Sequence, residues 1–536
     1  MKRVALTFTV VVLLALAALA DEGYHHEELT TDQLGMVHFP VSCAATVQKP
    51  FERGVALLHS FWYEEAEKEF ERIAKDDPQC AMAHWGIAMS IWHQLWNQPD
   101  AATVKRGHAE VKNAKSLHPK TGRERDYVAA TDAFYRGKTR AFHDRADDYA
   151  QAMATTHQDY PDDLEAAAFY ALSLLASEPD NDTTFANRKQ AAAVLEKLFA
   201  VEPDHPGVAH YLIHSYDKPQ LAQRGLPAAR RYAQIAPAAP HALHMPSHIF
   251  ARLGLWQDDI NSNLASIAAT RKTAAMHMGG EGHQFHAMDF LVYAYLQSGR
   301  EADAQKVIYE VKAMPAKKDD MYGMDFDPRT DALVTFSARY VLEMHHWTDA
   351  ASIALVPGAE AGDNSITYWA RAIGAARSGN LADARKDLAE IENVRATLLK
   401  QKKKSFADAV ELDRQEAAAW VAHAEGNNDE AIRMLRAIAE KEEAEGDEPL
   451  AIPAREMLAD MMLEMNRPEQ ALAEYEADLK FNPNRFNGLY GAARAAEMAG
   501  KGEKSSTYYA RLVKICDGSG SDRPELSRAK ALVAQK

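Results

Sequence analysis

The chain has 536 residues, 47% of them hydrophobic and 26% charged, and carries a formal net charge of −16. That composition excludes a disordered or low-complexity chain and leaves room for several domains or one long repeat array. The acidic balance opposes sequence-independent binding to nucleic acid or to anionic membrane surfaces, so no nucleic-acid partner is expected.

Lys2 and Arg3 precede an uncharged run from Val4 to Ala20 that closes on Ala18-Leu19-Ala20, ahead of Asp21 and Glu22. This is the pattern of a secretory signal peptide over residues 1–20, with cleavage expected after Ala20. The mature chain would lose two positive charges, stand at −18 and be secreted or periplasmic. The run is short for a spanning helix and no later stretch is apolar enough to span a bilayer, so no stable membrane insertion is expected after its removal. Residues 21–43 read as an extended amino-terminal segment.

From about residue 44 the sequence predicts one helix after another. Ala, Leu, Glu, Lys, Arg and Met dominate, and almost no segment alternates apolar and polar as a strand would. Phe51 to Trp62 has an apolar face, Glu64 to Lys75 follows after almost no linker, and Pro78 stops that second helix before the pattern restarts at Ala81.

A small residue followed four positions later by a large one, and often by proline eight further on, recurs as Ala66/Phe70/Pro78, Ala191/Leu195/Pro203, Ala228/Tyr232/Pro240 and Ala471/Tyr475/Pro483. Ala304/Ile308, Ala384/Leu388 and Ala431/Leu435 continue the series, each with a glycine five residues earlier: Gly299, Gly379 and Gly426. Those glycines fall where a turn between two helices is expected. The steps from Ala350 to Ala384 and from Ala471 to Ser505 are both 34 residues. This pattern resembles the second helix and terminal proline of the tetratricopeptide repeat (TPR), and the steps match that family's unit length. The resemblance rests on packing, since a small side chain lets two helices approach while an aromatic fills the space beside it. It covers nearly all of residues 44–516, about twelve hairpins, although the family's first-helix tryptophan, leucine and glycine are mostly missing. It implies an all-α superhelical solenoid of TPR-like helical hairpins with a concave groove.

Pro315 to Arg329 has no helical period and reads as a linker or long loop. It divides an amino-terminal array over 44–314, which holds the histidine-rich units, from a plainer array over 330–536. Three neighbouring predicted helices of the first array carry His210-x3-His214, His244-x3-His248 and His286-x2-Asp289. Spacings of three or four place both members of each pair on one helical face, one turn apart. Imidazoles and carboxylates bind transition metals, and one turn is a separation from which two ligands reach a single ion.

In the repeat family the first helix of each unit lines the concave surface, and its positions 2, 5 and 9 commonly meet ligand. The resemblance therefore implies His210 and His214 at positions 5 and 9 of a unit starting near Pro206, and His244 and His248 at 5 and 9 of one starting near Pro240. His286 and Asp289 fall at 2 and 5 of a unit starting near Phe285. All six are expected to converge in one pocket, close enough for at least three to share a divalent transition metal, zinc or copper, with Asp217 and Glu281 as supporting or general-base groups. The competing reading is six hydrogen-bonded structural side chains.

Other histidines carry less. His84 and His93 lie among Trp85, Trp92 and Trp96, a cluster that reads as core or groove wall, and His345-His346 sit at a helix end. Common catalytic and nucleotide-binding motifs are missing. Of three cysteines, Cys43 lies before the first helix of the opening hairpin and Cys80 after the second, at the same end of an antiparallel pair. A Cys43–Cys80 disulfide is expected, leaving Cys516 free.

Two functions from different classes follow. The first is an exported scaffold binding a peptide or protein partner in its groove, with Trp369 and Trp420 as groove-facing contacts. The alternative is a metal-binding protein or metal-dependent hydrolase that uses the histidine cluster.

Overall fold

A computed structural model of the chain describes residues 29–95, 98–137, 139–276, 278, 282–315, 327–446 and 450–534. The signal-peptide segment, Trp96, Glu281 and residues 316–326 of the expected linker lie outside them. Among the described residues all regular structure is helical, and consecutive helices pair as hairpins from Gln48–His59 with Tyr63–Asp76 to Phe486–Met498 with Gly502–Ile515. The chain is an all-α solenoid of stacked hairpins. No described helix is long and apolar enough to cross a membrane.

The spacing of helices is set by the alanines read from the sequence. Ala66, Ala191, Ala350, Ala384, Ala431 and Ala471 are all fully buried. The ring four residues on fills the adjoining notch: a Cβ at Gly86 would collide with Phe70, and one at Gly491 with Tyr475. Backbone and ring thus interlock where neither a larger nor a smaller residue fits.

Eight of the hairpin turns share one conformation. One residue between the two helices takes a left-handed φ, +63° at Gly254, +68° at Gly299, +84° at Gly379, +85° at Gly426 and +71° at Gly500. Glycine adopts it without a Cβ clash. Three units place a side chain there instead: Phe61, His345 and Asn466, at +54°, +55° and +56°. A phenylalanine in this conformation is strained, and such strain persists only where the side chain is held by its surroundings.

Helices distant in sequence also meet. Pro206–Tyr216 packs on Gln48–His59, and His283–Gln297 packs on Phe486–Met498. Trp256 Nε1 donates to the carbonyl of Asn484 at 2.7 Å, and Lys218 Nζ donates to the carbonyls of Glu445 and Gly446 at 2.8 Å. Arg485, wholly buried, donates to Glu456 at 2.8 and 2.9 Å, to Glu343 at 2.8 Å and to the Tyr293 hydroxyl at 2.6 Å. A buried cation with two carboxylates is costly to break, so this node pins the late repeats to the central ones.

Several expectations change. Of the segment expected to be extended, residues 29–43 contain the helix Thr31–Leu34, and Leu34 and Phe39 are buried, Phe39 against Phe51, Trp85 and Tyr127. The helix Pro328–Glu343 begins inside the stretch taken for a linker, with Asp327 capping the amide of Arg329. Trp420 does not face a groove. It is buried, and Arg377 lies between its ring and that of Trp347, at 4.2 and 3.7 Å from the centroids. Trp369, half-buried, donates its indole N–H to Glu416 at 2.8 Å. A disulfide joins Cys43 to Cys80 with their α-carbons 4.8 Å apart, and Cys516 is a buried free thiol.

Replacing Ala384 or Ala471 by leucine should overpack its helix contact and cost about 1–3 kcal/mol each. Thermal unfolding of the two variants checks this, and unchanged midpoints would mean the alanines do not set the spacing.

Candidate metal centre

Three first-of-pair helices bring the histidines together. Pro206–Tyr216 starts on a proline, whose missing N–H is harmless at a first position, and is capped by His205 Nδ1 accepting from the amide of Val208. His210 and His214 follow one turn apart. The next first helix is broken into Pro240–His244 and Pro246–Arg252, because Pro246 has no N–H to give the carbonyl four residues back. The break lies between His244 and His248 and sets their relative aim. The third, His283–Gln297, supplies His286.

The side chains form two adjacent trios, not one six-fold cluster. In the first, His210 Nε2 lies 3.1 Å from His214 Nε2 and 3.2 Å from His241 Nε2. In the second, His244 Nε2 lies 3.0 Å from His248 Nε2, with the His286 ring 4.5 Å from that of His244 between centroids. Within each trio the ligand atoms all lie within 4.8 Å of one another. The trios abut: His241 and His244 rings are 6.1 Å apart, and His214 and His248 rings 6.4 Å. Nitrogens bound tetrahedrally to one ion at about 2.0–2.1 Å would stand about 3.3 Å apart, close to the separations found here.

The hydrogen bonds at the other ring nitrogen decide what those separations mean. His210 Nδ1 donates to the carbonyl of His59 at 2.6 Å, and His248 Nδ1 to the Asp217 carboxylate at 2.8 Å. His244 Nδ1 donates to Asn263 Oδ1 at 2.7 Å, since the amide nitrogen of Asn263 is committed to the backbone carbonyl of Asp259 at 3.0 Å. Burial works to raise Asp217, but Arg252 and His248 beside it hold its carboxyl well below the usual range, so it is an acceptor. A neutral imidazole has one N–H, and here it is used at Nδ1. With both rings neutral, the Nε2 atoms of His244 and His248 would face each other as two lone pairs at 3.0 Å. This is a repulsive contact that a shared cation relieves.

For five of the six rings a proton is a poor candidate for that cation. Burial pushes His210 and His286 down to about 3 and holds His214, His241 and His244 well below the ordinary histidine value. Each trio also carries one phenyl ring that keeps its surroundings apolar. Phe61 lies 4.3, 5.7 and 5.6 Å from His210, His214 and His241, and Phe290 lies 4.9, 4.6 and 5.3 Å from His244, His248 and His286. Phe61 is the residue that occupies its hairpin turn in the left-handed conformation. Its contact with the trio accounts for an aromatic side chain where other turns use glycine.

Asp289 stands apart from both trios. Its carboxylate pairs with Arg339, which reaches it from the helix Pro328–Glu343. His241 takes the place expected of Asp289. It has no histidine four residues on, and its signal is the longer string His241-x2-His244-x3-His248 just after Pro240. Two weaker sites do not read as metal centres: Cys43 and Cys80 near Asp77 are disulfide-bonded, and Glu165 is already shared between His59 at 2.8 Å and His205 at 2.9 Å. His84 donates to or accepts from Glu110 at 2.7 Å, and His93 stacks on Tyr63.

The tautomers are directly testable. Long-range proton–nitrogen NMR on metal-free protein should report protonated Nδ1 and bare Nε2 at His210, His244 and His248. Protonated Nε2 at His244 or His248 would turn the 3.0 Å contact into an ordinary hydrogen bond and remove the case for an ion.

No family model matches the chain, and no curated protein is found similar to it. Among solved structures it is similar to the human IFIT1 dimer with m7Gppp-AAAA, at 10% identity and TM-score 0.34, covering 86% of this chain and 94% of that one. An IFIT1 monomeric mutant with Gppp-AAAA gives 11% identity and TM-score 0.35 over 86% and 95%. Naa15/Naa10 bound to HypK-THB gives 11% and 0.23 over 91% of each chain. These likenesses are loose and bear on neither ligand nor partner.

Proposed function

We propose that this chain is a metalloprotein in which a helical-repeat scaffold holds transition-metal ions in two histidine trios, His210/His214/His241 and His244/His248/His286. The observation that carries the reading is the approach of the Nε2 atoms of His244 and His248 to 3.0 Å while both Nδ1 atoms face hydrogen-bond acceptors. Neutral imidazoles oriented from behind by a carbonyl, an amide and a carboxylate are what a nitrogen-ligated ion requires, and such supporting bonds fix the tautomer and ring aim. All-imidazole ligation suits zinc or copper over magnesium, calcium or manganese, which favour oxygen. Three protein ligands leave a coordination position for water or a small substrate.

Partner binding along the solenoid has weaker footing, because Trp420 is buried against Arg377 and the late repeats fold onto the central ones. Export fits the Cys43–Cys80 disulfide, a bond that persists in oxidising compartments.

Metal analysis of the purified, dialysed full-length protein tests the reading. Zinc or copper should be retained stoichiometrically, and His210→Asn and His244→Asn should each lower the content. Asp217→Asn, which weakens the bond behind His248 together with the pairing to Arg252, should reduce affinity about 10–100-fold. A protein that retains no transition metal, and whose histidine variants behave as the parent does, would overturn it.

A further inference from the structure

Resting on that reading, we infer that the two trios form one dinuclear copper centre that binds dioxygen between the two ions. The trios are adjacent and alike: each has three imidazoles and one phenyl ring, and His241 and His244 belong to the same short helix while serving different trios. With the His214 and His248 rings 6.4 Å apart, ions so placed would occupy neighbouring sites, and a small ligand entering between them would reach both.

Charge selects the metal. Two divalent ions in neighbouring buried sites would bring four positive charges against six neutral ligands. Among the described residues Asp217 is the carboxylate bonded to a trio ring, and Arg252 Nε already shares it at 3.0 Å. Like charges in a poorly solvated site repel strongly. Copper lowers that burden by resting as Cu(I), for which three imidazoles are a sufficient ligand set, and imidazole sites bind copper at the top of the divalent affinity order once it is oxidised.

The redox step balances within the site. Each Cu(I) gives one electron, dioxygen takes both, and the O–O unit becomes a bound dianion bridging two Cu(II) ions. The total charge is two positive before and after, so no outside reductant or proton is needed. Release of dioxygen reverses the same transfer. Access fits a small ligand, since His214, His248 and His286 are the partly exposed ligands and His210, His241 and His244 are buried. The open side of each trio thus lies where His214 and His248 approach one another.

The experiment is to strip the full-length protein of metal, load it with Cu(I) under argon, desalt, count copper, then admit oxygen. Two coppers per chain, one dioxygen taken up per copper pair and a nearly silent electron paramagnetic resonance spectrum are expected, because spins on bridged Cu(II) ions couple. His241→Asn and His286→Asn, checked for folding by circular dichroism, should each hold about one copper, which shows its full Cu(II) signal once chemically oxidised. One copper in the parent protein, two coppers with full spin intensity, or a centre that takes zinc and refuses copper would overturn the inference while leaving a metalloprotein. No metal of any kind, with variants indistinguishable from the parent, would remove the underlying reading as well.

Discussion

The bonds behind the imidazoles control everything proposed for this protein. An isolated histidine in a helix is free to rotate and to exchange tautomers, and two of them at contact distance simply hydrogen-bond. Here the carbonyl of His59, the amide oxygen of Asn263 and the carboxylate of Asp217 hold the Nδ1 protons of His210, His244 and His248. With the rings neutral, the Nε2 atoms are left as acceptors aimed at other acceptors. Without those three bonds the same six rings would be an ordinary polar core.

The solenoid supplies the partners by bringing far-apart units together. His59 belongs to the first hairpin, and it reaches His210 because Gln48–His59 packs on Pro206–Tyr216. The His59 side chain is fixed in turn by Glu165 and by the Tyr211 hydroxyl, 2.8 Å from each. Burial would raise Glu165, but the neighbouring His205 and His59 hold it well below the usual carboxylate range. Phe61 follows in the turn of that same hairpin, so one strained turn delivers both a carbonyl and a ring to the first trio. At the far end, Arg485 with Glu343 and Glu456 ties the late repeats against Tyr293, three residues and about one turn beyond Phe290 on the same helix. Rigid packing around a metal site limits how far its ligands stray from productive geometry.

Much of the fold was legible because its cause is local and repeated. Ala384, Ala431 and Ala471 recur at a fixed place in their units and are buried for the same reason, and Gly299, Gly379 and Gly426 mark turns that need a left-handed residue. The histidine pairs at four-residue spacing were legible for the same periodic reason. His241 was not, because its trio partners lie two helices earlier, on Pro206–Tyr216, and its nearest histidine neighbour in sequence, His244, serves the other trio. Asp289 has the spacing of a ligand, yet Arg339, fifty residues later, takes its carboxylate. Trp420 was misplaced because the position rule assumes an open groove, while Arg377 and Trp347 close over it. Local spacing records which side chains share a face; it does not record what the rest of the chain brings to that face.

The most direct measurement is anomalous diffraction at the copper and zinc edges from crystals of the metal-loaded full-length protein. The account predicts two peaks, one among His210, His214 and His241 and one among His244, His248 and His286, each bonded through Nε2. A single ion elsewhere, or bonds through Nδ1 with the contacts to His59, Asn263 and Asp217 broken, would contradict it.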